Sequence, residues 1–175
     1  MFYKFLIGLV LFSISLVASS DIRNLETFKA SFTQIITSST QNVIEYEGEV
    51  FIKKSGKIFW KYESPVVKNV YINNDSAVVI EPELEQAIFT QLESEINIIK
   101  LLNNSKKVSE NLYTTNIDDV DYSIKTVNDK INQITYKDKL ENSVDIKFSN
   151  VVQNGNISDD IFKYEVPDTY DIIKK

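Results

Sequence analysis

The sequence has no cysteine and no histidine. Those two absences remove the Ser-His-Asp triad, the thiol nucleophile, the C-x-x-C redox pair, the ordinary zinc site and every disulfide. Carboxylates, hydroxyls, lysine and tyrosine are all that remain for catalysis. Glycine is scarce, four residues in 175, and no G-x-x-x-x-G-K-[ST] loop is present, so no ATP site is expected. Basic residues are in deficit: 19 Lys and Arg face 25 Asp and Glu, giving a net charge of −6 and a pI near 4.8. A nucleic-acid binder needs a basic face, so no nucleic-acid partner is expected. What is abundant is apolar: 43% of residues are hydrophobic, with ten Phe, nine Tyr and a single Trp. The length suits one domain.

Residues 1–20 read as an export signal. Lys4 supplies the positive start, and Phe5–Val17 is an apolar run broken only by Gly8, Ser13 and Ser15. Ala18, Ser19 and Ser20 supply small residues for cleavage, expected after Ser20 with Ala18 as the alternative. The run falls short of the about 20 apolar residues of a bilayer span, although an uncleaved anchor is the alternative. This divides the chain into a signal peptide, 1–20, and a single domain, 21–175. Losing one Lys and no acid takes the net charge of the remainder to −7. No Cys stands at the cleavage point, so the mature protein is not expected to be a lipoprotein itself.

From Phe28 onward the hydrophobic period is two. Phe28, Ala30, Phe32 and Gln34 alternate with Lys29, Ser31 and Thr33; Ile44, Tyr46, Gly48, Val50 and Ile52 alternate with Glu45, Glu47 and Glu49; Ile58, Trp60 and Tyr62 follow the Ser55-Gly56 turn. Phe51 interrupts the polar face of its strand. Further strands are expected at 70–73, 76–81, 86–91, 112–115, 122–127, 131–137, 144–148 and, more weakly, 151–153. Two stretches carry helical spacing instead: Ile22, Leu25 and Phe28 within 21–28, and Ile96, Ile99, Leu101 and Leu102 within 94–102, where Asn103-Asn104 supplies a stop. Short strands at near-regular spacing predict an antiparallel barrel or sandwich, mainly β with a few helices. A strongly curved sheet has a concave face, and helices of this size are natural lids for it.

Four blocks in order resemble the LolA family of periplasmic outer-membrane lipoprotein carriers. Phe28-Lys29-Ala30-Ser31-Phe32-Thr33-Gln34 is similar to the family's F-x-A-x-F-x-Q strand. Gly48 to Trp60 resembles its G-x-h-x-h-x-R-P-x-x-h-x-W hairpin, h being apolar. Glu81 to Ala87 resembles the segment carrying V-E-Q-A or L-x-Q-A, and Phe162-Lys163-Tyr164-Glu165-Val166-Pro167 the closing F-x-F-x-x-P. Lys54-Ser55 stands where the family usually has Arg-Pro. Lys keeps the charge and loses the planar five-donor fork.

The resemblance implies an incomplete, open antiparallel β-barrel covered by a helical lid, with a hydrophobic cavity inside that shelters lipoprotein acyl chains. It also implies a non-enzymatic, cofactor-free monomer in the periplasm. Cargo would arrive from an inner-membrane ABC lipoprotein-releasing complex and leave to an outer-membrane lipoprotein acceptor. A triacylated N-terminus carries about forty methylenes at about 0.8 kcal/mol each, so bare transit through water is excluded on cost. The expected lining is Phe32, Phe51, Trp60, Val79, Phe89, Ile96, Ile99, Leu101 and Leu102, with Lys54 and Ile58 at the hand-off contact.

Each of these has a plainer reading beside it. The aromatic and aliphatic residues equally fill a closed core. Lys53, Lys54 and Lys57 equally form a solvated hairpin tip. Asp118, Asp119 and Asp121 lack the spacing of a calcium loop, and no metal is expected. Glu81, Glu83 and Glu85 have no setting that marks a catalytic carboxylate pair. The alternative function is a module of the same fold for a different lipid, such as a glycolipid, or an envelope sensor.

Overall fold

The computed structural model describes residues 22–73, 76–91 and 98–175. A 3₁₀ turn, Ile22–Asn24, leads into β1 (Thr27–Thr37), followed by β2 (Val43–Lys53), β3 (Lys57–Ser64), β4 (Lys68–Asn73), β5 (Ser76–Glu81) and β6 (Gln86–Gln91). The helix α1 (Ile98–Asn103) comes next, then β7 (Lys106–Ser109), β8 (Leu112–Ile117), β9 (Val120–Val127), β10 (Lys130–Lys137), β11 (Ser143–Gln153), a 3₁₀ turn at Asp159–Phe162, and β12 (Asp171–Lys174).

The strands make one sheet in the order β12-β6-β5-β4-β3-β2-β1-β11-β10-β9-β8-β7. All neighbours are antiparallel except β12, which runs parallel to β6. β7 and β12 stand at the two edges, so the barrel is open. The two sheet halves join where β1 pairs with β2 on one side and β11 on the other, through Phe32↔Gly48 and Phe32↔Phe148.

The alternation of side chains divides the sheet into an inner and an outer face. Phe28, Phe32, Val50, Ile52, Ile58, Trp60, Val70, Ile72, Ile124, Ile134, Ile146 and Phe148 lie on the inner face. They form one continuous cluster with Ile22, Leu25 and all four apolar residues of α1, Ile98, Ile99, Leu101 and Leu102. The outer face carries two smaller clusters under the C-terminal segment. One is Phe51, Phe59 and Ile157 with Tyr71, Ile161 and Phe162; the other is Val78, Ile80 and Ala87 with Phe89, Val166 and Tyr170.

Two expectations change in detail. The helix expected over 21–28 is only the turn Ile22–Asn24, and β1 already begins at Thr27. Pairing on both sides of β1 outweighs a three-residue helical spacing. The helix expected over 94–102 is described from Ile98 to Asn103, and Ile96 lies outside the described residues. Asn104 ends it by donating both its backbone N–H and its Nδ2 to the Lys100 carbonyl. Four of the six described residues of α1, Ile98, Ile99, Leu101 and Leu102, are buried, so packing on the sheet is what holds this turn of helix.

Candidate functional site

The inner face and its cover form the site. Phe32 sits at its centre because Gly48 lies directly across from it: a methyl group there would collide with the Lys61 carbonyl and crowd the Phe32 ring. The space goes to aromatic packing. Phe32 meets Trp60 edge-on at 5.0 Å and Tyr62 edge-on at 5.2 Å. Val79 packs on the same cluster from β5, opposite Val70. Ile99, Leu101 and Leu102 close over it from α1, which touches the first 3₁₀ turn, β2 and β8. Phe32, Trp60, Val79, Ile99, Leu101 and Leu102 are thus brought together.

Phe51 and Phe89 are not. Phe51 stacks on Phe59 across the outer face, and Phe89 faces Tyr164 of the C-terminal segment. Period two explains the separation: Phe51 and Phe89 have the opposite parity to the inner residues of their own strands, Val50 and Ile52 or Ile88. The covering segment supplies their partners, and burial there pushes the Tyr71 phenol pKa up. Ile58 also departs from expectation. It is buried on the inner face, 1% exposed, beside Ile52 and Ile72, and so offers no surface contact in this conformation.

Lys54 is at the surface, at the turn between β2 and β3. Its Nζ lies 2.6 Å from the Glu26 carboxylate, at the foot of β1. Glu26 in turn receives support from the other half of the sheet. Its N–H donates to Asn154 Oδ1 at 2.9 Å, and the Asn154 N–H donates to the Thr27 carbonyl at 2.9 Å. Lys53 and Lys57 both reach Asp159, at 2.6 and 3.4 Å, and hold its carboxyl pKa below the usual range. The basic cluster therefore ties down two flanking segments rather than standing apart.

The margin of the inner face contains residues that the site expectation omits. Tyr46, Tyr62, Tyr136 and Ile36 are partly buried there, and Ile44 is exposed. Tyr46 meets Tyr62 edge-on at 5.6 Å, and Tyr122 lies 4.9 Å from Tyr136. Tyr62 donates to Gln34 Oε1 at 3.3 Å. Lys68 places its ammonium 4.3 Å from the Tyr62 ring and 5.0 Å from the Tyr46 ring. The signal was present in the alternation, which sets Tyr46 with Val50 and Tyr62 with Trp60. Lys68 carried none, because only the register of β4 on β3 brings it to Tyr62.

A groove of about 540 Å³ on β1, β9, β10 and β11 is lined by Thr37, Ser123, Thr135 and Asp145 together with Ile35, Tyr136 and Val144. Asp118, Asp119 and Asp121 border another with Lys137, Lys139 and Glu141. Among the described residues no group of three or more acids is placed to hold a metal ion.

Residues 23–122 match the family described as "Outer membrane lipoprotein carrier protein LolA". The chain belongs to the LolA family. An outer-membrane lipoprotein carrier protein of Campylobacter jejuni is 33% identical over 151 residues, covering 86% of this chain and 88% of the relative. One from Wolinella succinogenes is 31% identical over 170 residues, covering 97% and 99%. Among solved structures, a LolA superfamily protein from Nitrosomonas europaea has a TM-score of 0.50 at 10% identity, covering 81% of this chain and 91% of that one. An uncharacterized conserved protein from Thermus thermophilus has a TM-score of 0.53 at 7% identity, covering 90% and 95%. At those identities the structures speak for the LolA fold alone.

Proposed function

We propose that this LolA-family chain is a periplasmic chaperone that carries lipoproteins to the outer membrane with their acyl chains held between the inner face of the sheet and α1. One observation carries the reading. Among the described residues, a continuous apolar face of an open sheet is covered by the helix α1 and a 3₁₀ turn, not by a second sheet. Such a cover can leave while the ladder of strands stays intact.

The energetics favour exchange over permanent burial. Ile98, Ile99, Leu101 and Leu102 are each 4% exposed or less. Fully burying one such side chain is worth about 1.5–3 kcal/mol, so lifting α1 costs several kcal/mol. An incoming acyl chain replaces those contacts and returns most of that cost. The net affinity is then far below that of transferring bare hydrocarbon from water, which is what a carrier that must release its load requires.

The lining under this proposal is Phe32, Trp60, Val79, Ile99, Leu101 and Leu102. Lys54 marks the hand-off contact, through its grip on the foot of β1. Residues 1–20 take the chain out of the cytoplasm and are removed. An inner-membrane ABC-type complex loads the carrier, and an outer-membrane acceptor unloads it. No catalytic step enters this account.

Photocrosslinking in cells from probes at Trp60 and Leu101 tests it. Acylated protein recovered from both positions supports the carrier reading. Free glycolipid recovered without acylated protein overturns it in favour of a different lipid cargo.

A further inference from the structure

We propose that two copies of this chain associate through β12, their edge strands pairing antiparallel about a two-fold axis at Ile173. This association is independent of the carrier reading and departs from the monomer that the resemblance to the LolA family implies.

The seating of β12 on β6 settles which backbone groups remain for a partner. The Asp171 N–H donates to the Glu85 carbonyl at 2.8 Å, and the Lys175 N–H to the Phe89 carbonyl at 2.9 Å. Ile173 lies beside Ile88 between them, so Asp171, Ile173 and Lys175 turn their amides and carbonyls toward β6. Ile172 and Lys174 therefore turn theirs to the open side, where β12 ends the sheet. In an antiparallel pair, residues directly opposite each other are both hydrogen-bonded or both not. Setting Ile172 opposite Lys174 of the second copy, and Lys174 opposite its Ile172, meets that condition. Every outward N–H and C=O of these residues is then paired.

The side chains fit this same register. Asp171, Ile173 and Lys175 share a face by alternation. Asp171 falls opposite Lys175 of the second copy, Ile173 opposite its own equivalent, and Lys175 opposite Asp171. Opposite charges meet at both ends and an apolar pair meets at the centre, a match between two identical edges. On the other face Ile172, 51% exposed, lies against the stem of Lys174. A slide by two residues either way sets Ile173 against Asp171 or Lys175 and loses the charge pairs.

The opposite edge of the sheet has no such match. β7, Lys106–Ser109, is exposed throughout and holds two lysines and no acid, so two β7 edges repel. A contact confined to 171–175 covers less area than a standard interface, so the dimer is weak and forms at high protein concentration.

Sedimentation equilibrium of the purified protein from about 10 µM to about 1 mM is expected to show the mass rising toward twice the monomer. Ile172→Pro deletes an N–H on the open side that has no part in the β6 ladder, so this variant stays monomeric with the wild-type melting temperature. Asp171→Lys weakens association about tenfold, and adding Lys175→Asp to it restores association. Cysteine variants read the register directly, because the chain has no cysteine of its own. Ile173→Cys faces itself with Cα atoms about 4.5 Å apart and oxidises to a disulfide-linked dimer, whereas Ile172→Cys, opposite Lys174, does not.

A monomer mass across the whole range overturns the proposal. So does a dimer undiminished by Ile172→Pro, or an equal disulfide yield from the two cysteine variants, because association then uses another surface or register. If Ile172→Pro fails to fold, the charge exchange decides: no recovery on adding Lys175→Asp overturns the pairing.

Discussion

Lys54 and Glu26 meet twice: the Lys54 backbone N–H donates to the Glu26 carbonyl at 2.8 Å, and Lys54 Nζ donates to the Glu26 carboxylate at 2.6 Å. The second contact is exposed on both sides, so its worth to overall stability is at most about 1 kcal/mol. Its position matters more than its strength, because Glu26 follows Leu25, which is buried with α1 in the inner cluster.

Replacing Lys54 by Arg is therefore expected to preserve cargo release to an acceptor, and replacing it by Leu to slow release while uptake continues. Reconstituted transfer of a labelled lipoprotein measures both steps. Equal release from the wild type and both variants would remove Lys54 from the hand-off.

Phe32 and Phe51 separate stability from binding. Both are buried aromatics, so Phe32→Ala and Phe51→Ala each cost about 3–5 kcal/mol in urea unfolding. Only Phe32→Ala is expected to change uptake of an acyl probe, because Phe51 belongs to the outer face. Loss of uptake from Phe51→Ala in protein that remains folded would contradict the assignment of faces.

Gly48→Ala is expected to damage the site from a position with no side chain of its own. The added methyl meets the Lys61 carbonyl, which is backbone and cannot swing aside, and then the Phe32 ring. Overpacking of this kind costs about 1–3 kcal/mol or more. A melting temperature equal to wild type, with unchanged Trp60 emission, would show that the strands absorb the methyl.

Acid should loosen the segment around Asp159. Hydrogen bonds from Lys53 and then Lys57 lower the Asp159 pKa, so this anchor is complete above the ordinary carboxylate pKa of about 3.9 and fades as pH falls through the lower folded value. Amide exchange in residues 157–163, taken relative to the intrinsic rate at each pH, should be steady from pH 7 to 5 and rise below about pH 4. Asp159→Asn should weaken protection already at neutral pH and flatten that rise. An acid step of the same size in the Asn variant would place its origin in other carboxylates.

The alternation of β1, β2 and β3 was readable because each of these strands has one face that is largely apolar, with Gln34 the polar member in β1, and period two then fixes both pairing and burial. Phe51 looked like an interruption for a reason that lies far along the chain: its partners include Ile157 and Phe162. No local pattern reports a second apolar layer contributed by a segment about a hundred residues away. β7 was illegible for the opposite reason, since Lys106–Ser109 is wholly exposed and carries no burial signal. The stretches 144–148 and 151–153 proved to be one strand, β11, because pairing with β1 continues past Asn150, despite its left-handed φ of 53°. Tyr46 and Tyr62 stood in the correct phase of the pattern, yet their place at the margin needed the sheet register, and Lys68 needed it entirely.

The parallel seating of β12 beside β6 has a bearing on assembly. β12 follows every other strand in chain order, while β6 precedes the whole second half of the sheet. Until β12 arrives, β6 presents open amide and carbonyl groups next to Ala87 and Phe89, an invitation to pair with a neighbouring molecule. Nascent or clipped chains lacking residues 171–174 would then be the ones that clump, while the hydrocarbon-facing side of the sheet remains intact.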